Sequence, residues 1–292
     1  DDGYLTEVTT REALSFIDRN KTEPFFLLVT HHAPHVPLEA TRQYLDRVKG
    51  INDQGQRVYA AMVAALDDGV GAIAGKLDEL KLAQDTFVVF LSDNGCASYV
   101  NGACTNAPLN GFKRDQLEGG VRVPMIVRYP SRLGRLGRLK AGQVFETPVI
   151  SLDLMATALA LGGADLKGGA ALDGKDLLPY LTGKTQAGKT QAGKARGAPH
   201  DQLFWRAGEN YAVREGDWKL WVVQSPKGGS ETFLFNLKKD VGEQQNLAAQ
   251  QPQLVARLKA AYATWNAGNI APRFPPRTVD VKVNGVAVRL AF

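Results

Sequence analysis

The sequence is poor in cysteine, methionine and histidine, with 2, 3 and 4 of these among 292 residues. Two cysteines exclude a disulfide scaffold. Cys96 and Cys104 lie eight positions apart in one loop and can pair if the protein is exported. A zinc pair is disfavoured, because the spacing is wrong and neither has a nearby histidine. No apolar run approaches the length of a membrane span, and neither an initiator methionine nor a signal peptide is present. The chain opens on Asp1-Asp2-Gly3, in what reads as the middle of a longer protein. Charge of one sign is also scarce: 35 Lys and Arg face 30 Asp and Glu, a formal net charge of +5. That surplus is too mild for the electrostatic footprint of nucleic-acid binding and only weakly favours an anionic substrate. What is present, 44% hydrophobic and 22% charged residues, describes a soluble globular protein of one large or two modest domains.

Helices and strands are expected to alternate at first. A Thr9-x-x-Glu12 capping box predicts a helix from there to about Arg19, and residues 25–30 form an unbroken apolar run that predicts a strand buried on both faces. The longest helix is predicted over residues 56–82, with Tyr59, Met62, Val63, Leu66, Val70, Ile73, Leu77 and Leu80 in one stripe. It leads into a buried strand at residues 86–91, an order that builds a parallel sheet. A further strand is predicted at residues 123–129, then a basic solvated loop at 131–142 and a short helix at 152–161. Residues 183–197 contain GKTQA twice in tandem and read as a flexible, low-complexity surface insertion. GKTQAGKT within it fits the P-loop pattern, but no strand feeds it and no amphipathic helix follows, so nucleotide binding is rejected. Beyond Leu203, short strands separated by Gly, Asn and Asp predict an antiparallel sheet, followed by a helix over residues 253–266. Asn284-Gly285, between alternating segments, predicts a type I′ hairpin.

The stretch that carries chemistry follows the strand at residues 86–91, which ends in Ser92-Asp93-Asn94-Gly95. In open α/β sheets, ligands bind beyond the carboxyl ends of the strands. Asp93 and Asn94 offer a carboxylate and an amide oxygen, donors suited to Ca²⁺ or Mg²⁺, although Asp-Asn-Gly is also ordinary turn chemistry. Further along stand NAPLNGFK (residues 106–113) and EGGVRVP (118–124). With SDNG, this arrangement resembles the core of the sulfatase family, in the alkaline-phosphatase-like superfamily. PFFLLVTHHAPHVP, YAAMVAALDDGVG, ISLDLMATALALGGA, LDGKDLLPYLTG and FLFNLKKDVGEQQNLA match in the same order, so the resemblance runs from Tyr4 to about Trp265.

The resemblance implies an α/β fold: the remainder of an alkaline-phosphatase-like parallel or mixed sheet flanked by helices over residues 1–200, and a small antiparallel subdomain with a helix and a terminal hairpin over 201–292. It implies catalytic roles for His35, which would hydrogen-bond the ester and protonate the leaving oxygen, and for Lys113, whose ammonium would stabilise charge on the sulfate. It implies Asp93 and Asn94 as metal ligands, for Ca²⁺ ahead of Mg²⁺. His31, His32 and His200 are assigned structural roles, and Glu118 and Arg122 match the family motif as braces of the loop. Where the family often has Leu-Arg-Gly-Gly-Lys, this chain has Leu109-Asn110-Gly111-Phe112-Lys113, a departure that touches the pocket but not the lysine.

Some expected features are absent. The family's nucleophile is a formylglycine made from Cys/Ser-x-Pro/Ala-x-Arg, and no such motif occurs in these 292 residues. The family's first pair of metal-binding aspartates also lies upstream of the segment matched here. The expectation is therefore the C-terminal part of a sulfuric ester hydrolase, inactive alone, with formylglycine in a preceding segment. Its substrate would be a sulfated small molecule or sulfated glycan, and its location periplasmic or secreted. Two other functions remain open at this point. One is a phosphodiesterase or phosphonate monoester hydrolase of the same superfamily, and the other is a binding fragment without turnover.

Overall fold

A computed structural model describes the chain apart from residues 1–2, 101, 129–138, 140, 165–170, 183–187 and 190–194. The chain divides into two compact units: Asp1–Phe90, Ser98–Thr105 and Ile126–Gln143 form the first; Leu91–Ala97, Asn106–Met125 and Val144–Phe292 form the second.

The first unit is built on helices α1 (Leu5–Arg19), α2 (Arg42–Arg47) and α3 (Gln54–Glu79). Asp53 caps α3, its carboxylate accepting the Gln56 N–H at 2.8 Å. Ala61, Ala65 and Gly69 are buried on this helix. A Cβ at Gly69 would lie 2.5 Å from Thr10 Oγ1, so the small residue lets α1 approach. Val63 and Val70 are exposed, so the apolar stripe is narrower than predicted. By length and composition α3 could cross a bilayer, contrary to the sequence expectation. It nevertheless packs against α1 and α2 and carries Asp67 and Asp68 at mid-helix, with Asp68 paired to Arg47. The capping box fails as a helix start, because α1 begins earlier, at Leu5 after Tyr4, and Thr10 sits inside it donating to the Thr6 carbonyl.

Strand β1 (Val88–Leu91) pairs with β2 (Met125–Arg128), and among the described residues β1 has no other strand partner. Residues 25–30 are extended but join no ladder. Phe25 and Leu27 pack with Ile17, Leu77 and Ala83, whereas Phe26 and Leu28 are 65% and 72% exposed. The predicted burial on both faces is therefore met on one face only. Phe90 on β1 and Ile126 on β2 are exposed as well.

In the second unit, α4 (Glu118–Val121), α5 (Asp153–Leu161) and α6 (Leu178–Leu181) precede the sheet. β3 (Gly188–Lys189) and β4 (Ala195–Arg196) form a minimal antiparallel ladder. The rest of the GKTQA repeat, and nearly all of the basic loop predicted at 131–142, lie outside the described residues. The sheet itself comprises β5 (Leu203–Ala207), β6 (Asn210–Glu215), β7 (Trp218–Gln224), β8 (Ser230–Asn236), β9 (Thr278–Val283) and β10 (Val286–Ala291). Its order is β5-β6-β7-β10-β9, with β8 also on β7, and the described ladders are antiparallel.

Strand periodicity sorts the central residues onto two faces. Val213, Leu220, Val222 and Leu234 pack with Leu258 of α7 (Pro252–Asn266), reinforced by Tyr211 stacked on Tyr262 at 3.6 Å. Trp221, Val223, Phe233 and Phe235 form the opposite core with Leu117, Val288 and Leu290. The terminal hairpin turns at Asn284-Gly285, with φ of +50° and +81°, the positive pair that a type I′ turn needs.

Candidate functional site

The loop after β1 is held by backbone bonds within the second unit. The Ser92 N–H donates to the Pro124 carbonyl at 3.2 Å, and the Gly95 N–H donates to the Gly120 carbonyl at 3.1 Å. The Lys113 N–H donates to the Cys96 carbonyl at 2.9 Å. Asn106 links both arms: its amide oxygen accepts the Cys96 N–H at 3.0 Å and its amide nitrogen donates to the Gly111 carbonyl at 2.9 Å. Asn94 and Lys113, nineteen positions apart in sequence, consequently line one open cleft of about 620 Å³. Arg114, Pro275, Arg277 and Phe292 line it too. Asp93 is exposed and does not line this cleft.

Glycine is required where the two turns meet. A Cβ on Gly95 would stand 1.7 Å from the Gly119 carbonyl oxygen and 2.8 Å from its carbon, both backbone atoms that no rotamer can move. Gly95→Ala is expected to cost about 3 kcal/mol, the top of the range for overpacking. Gly71→Ala on α3, where a Cβ meets nothing within 4 Å, should be neutral or stabilising. Chemical denaturation of both variants checks this, and equal stabilities would contradict it.

The turn carrying Lys113 is fixed by Asp115, whose carboxylate accepts the Phe112 N–H at 2.8 Å and the Leu117 N–H at 3.0 Å. Burial pushes the Asp115 carboxyl up to about 6, against the pull of these two donors. Gln116 accepts from Trp221 Nε1 at 2.9 Å, and Leu117 enters the core of the antiparallel sheet. Beneath them lies a buried ion cluster. Glu118 accepts from Lys219 Nζ at 2.9 Å and from Arg214 at 3.1 Å, and Lys219 is also 3.1 Å from Glu243. Lys219, Glu118 and Glu243 are at most 1% exposed. Burial alone would raise the Glu118 carboxyl, but Lys219 and Arg214 outweigh it and hold it below its usual value. Glu243 has weaker compensation, and burial pushes it up to about 7. Glu243 also accepts the Glu118 N–H at 2.7 Å, so the cluster grips the first residue of the Glu-Gly-Gly turn twice.

The histidines lie in different surroundings. His35 is exposed in the first unit; its Nδ1 bonds the Val36 carbonyl at 2.8 Å, which leaves Nε2 free to exchange a proton. Its ring lies edge-on to His32 and Tyr99, with centroids 5.5 Å and 6.1 Å away. His31 has both ring nitrogens sealed without a partner, and burial lowers its pKa. His200 Nε2 is 2.7 Å from the fully buried Asp153, which also receives the Ile150 and Lys175 N–H groups.

For a divalent cation the donor types fit, but the number does not. Asp93 and Asn94 supply hard oxygens of the kind Ca²⁺ takes, yet six to eight are typical. Among the described residues, no group of three or more His, Cys, Asp or Glu could hold a metal ion.

Both cysteines are disulfide-bonded, closing the loop that follows Asn94. Closing so short a loop stabilises by roughly 2–3 kcal/mol in the chain-entropy picture. Dithiothreitol should lower the thermal midpoint accordingly, measured with and without reductant. An unchanged midpoint, with two thiols titrated before reduction, would contradict the bond.

Several residues of this region escaped the sequence reading. Arg114 stands beside Lys113 and was visible, but Arg277 and Phe292 lie beyond the motifs. Lys219 had a signal in its strand parity, since it shares a face with Trp221 and Val223.

A sulfatase family profile matches residues 2–164. The chain is 39% identical over 181 residues to pig (Sus scrofa) N-acetylgalactosamine-6-sulfatase, covering 61% of this chain and 32% of that protein. It spans about a third of the length of the curated relatives it matches. Among solved structures it resembles Ps i-CgsB, crystallised with k-i-k-neocarrahexaose, with a TM-score of 0.79 and 29% identity over 94% of this chain and 57% of that one. A protein of the alkaline phosphatase superfamily from Vibrio parahaemolyticus shares the fold, with a TM-score of 0.53 and 16% identity over 90% of this chain and 56% of that one. With the family profile covering more than half of its length, the chain belongs to the sulfatase family.

Proposed function

We propose that this chain is the C-terminal part of a sulfuric ester hydrolase and that its cleft holds the sulfate group of the substrate. The observation that carries the reading is the cleft itself. A lysine and a carboxamide converge there, and among the described residues no carboxylate forms an ion pair with Lys113. A half-buried ammonium without a counter-ion suits a bound oxyanion, and it would stabilise the charge that develops on the ester oxygen as the S–O bond breaks. Asn94 would orient the same group by hydrogen bonding.

His35 is the proposed general acid. With Nδ1 committed to the Val36 carbonyl, Nε2 is the atom that would deliver a proton to the departing alcohol oxygen. Asp93 and Asn94 would hold a Ca²⁺ ion, whose charge would neutralise ester oxygens, with the remaining ligands drawn from a preceding segment. A formylglycine in that segment would supply the attacking oxygen. The length of the relatives supports such a segment, and so do Phe26, Leu28, Phe90 and Ile126, large apolar side chains exposed in a domain that would normally cover them. A sulfated sugar is the favoured substrate class, since the pig relative is named N-acetylgalactosamine-6-sulfatase and Ps i-CgsB was crystallised with k-i-k-neocarrahexaose. The disulfide fits an oxidising, periplasmic or secreted location.

The test is sulfate release from aryl sulfates of graded leaving-group pKa, using the 292-residue chain and a longer form that restores the preceding segment. Turnover is expected only from the longer form. His35→Ala should lose most activity on the poorest leaving groups, because a stable departing anion needs no acid. Robust turnover by the short chain would overturn the assignment of the nucleophile, and an equal loss across all leaving groups would remove His35 from the acid role.

A further inference from the structure

The cleft carries more positive charge than one sulfate monoester requires. A monoester brings a single negative charge, whereas Lys113, Arg114 and Arg277 all line the cleft. Among the described residues none of the three has an ion-pair partner. Elsewhere, arginines with neighbouring carboxylates do pair, as Arg289 does with Asp280 through two bonds at 2.7 and 2.9 Å. Three cations without an ion-pair partner among the described residues thus line one open cleft.

The two arginines reach the cleft from separate chain segments, and both are anchored. Arg114 follows Lys113 with φ of +92°, a conformation disfavoured for residues with a Cβ, and the two Asp115 bonds close the turn around it. Its guanidinium lies 4.2 Å over the Phe292 ring. Arg277 enters on the terminal hairpin, where it exchanges two backbone bonds of 2.9 Å with Phe292. The hairpin is tied down in turn by Asn284, which donates to the Glu243 carbonyl at 2.6 Å. Two planar, always-charged forks lining the same cleft as a lysine are suited to carboxylate or sulfate oxygens. A cleft of about 620 Å³ is of a size that admits more than one sugar ring.

Resting on the sulfatase reading for Lys113, we propose that Arg114 and Arg277 form a second anion subsite that selects substrates bearing another charged group, a sulfate or a carboxylate, on a neighbouring sugar. The terminal hairpin then acts in specificity, holding the substrate by a group that does not react.

Calorimetric titration of the 292-residue chain tests this without needing turnover. Three disaccharides serve as probes: one with a single sulfate, one with two sulfates, and one with a sulfate and a uronate carboxylate. At least one doubly charged probe should bind about ten-fold tighter than the singly charged one, the gain of a charge-assisted contact. Arg277→Ala and, independently, Arg114→Ala should erase that preference while leaving the monosulfated probe nearly unchanged, and Arg277→Lys should keep part of it. Whichever doubly charged probe shows the gain identifies the group recognised. Equal affinities in the wild type, no binding of any probe, or an equal loss for all probes in Arg277→Ala would overturn the subsite. Sulfate release by the longer enzyme without this preference sinks the subsite alone, and the preference without sulfate release sinks the hydrolase reading alone.

Discussion

Lys219→Met is expected to destabilise the protein by about 3–5 kcal/mol, the cost typical of removing one partner from a buried ion cluster. The side chain is completely buried, and its ammonium serves two carboxylates, Glu118 at 2.9 Å and Glu243 at 3.1 Å. Methionine matches its length but leaves both acids without that charge; Arg214 remains paired with Glu118, with a weaker pull from Arg122, and Glu243 has no other ion pair among the described residues. The loss should depend on pH in a defined direction. In the wild type Lys219 helps hold Glu118 below its usual pKa, a stabilisation present above about 4.5 and lost on acidification. Without Lys219 both carboxyls rise, Glu243 furthest since burial already pushes it up to about 7. Protonated acids need no counter-ion, so the deficit relative to wild type should be smaller at pH 5 than at pH 8. Urea unfolding at the two pH values measures this. A deficit below about 1 kcal/mol at pH 8, or one that grows on acidification, would show that the cluster does not bear on stability as argued.

The same cluster explains why the substitution should also disturb the cleft. Glu118 opens the Glu-Gly-Gly turn, Gly120 accepts the Gly95 N–H, and Gly95 directly follows Asn94. A lysine on β7 thereby helps place a carboxamide in the cleft through one turn and one backbone bond.

The antiparallel sheet was legible in the sequence because its information is local. Alternation and turn residues specify each hairpin, and Asn284-Gly285 adopts the positive φ pair its residue types prefer. Helix α7 followed from its periodic Leu254, Leu258, Tyr262 and Trp265, found over Pro252–Asn266. The segment at residues 25–30 was misread for a non-local reason. Six apolar residues in a row can pack two sheet faces, but whether both are covered depends on chain brought from elsewhere, and Phe26 and Leu28 are exposed. The Thr9-x-x-Glu12 pattern misled in the opposite way, since an earlier start at Leu5 turned a cap into helix interior. Within the cleft, Asn94 and Lys113 were reached through motifs, and the fold brings them together by the Lys113–Cys96 backbone bond. Arg277 and Phe292 carried no such signal, because nothing in a hairpin's own pattern says which loop it will lie against.

The most direct test of the function rests on Lys113. Its ammonium is proposed to stabilise the negative charge that develops on the ester oxygen as the S–O bond breaks, beyond the charge the sulfate already carries, so its removal should fall on kcat more than on KM. Backbone placement should survive the change, since the Lys113 N–H bond to the Cys96 carbonyl does not involve the side chain. Lys113→Ala in the longer, active form should therefore keep its thermal midpoint while sulfate release slows on the order of 10²–10³-fold, as expected for removing a preorganised charge from a transition state. The deciding measurement is kcat for sulfate release by wild type and Lys113→Ala on one aryl sulfate. A fall of that size in a stably folded variant is the expected result, and a kcat within about three-fold of wild type would contradict the role of this cleft in sulfate ester hydrolysis.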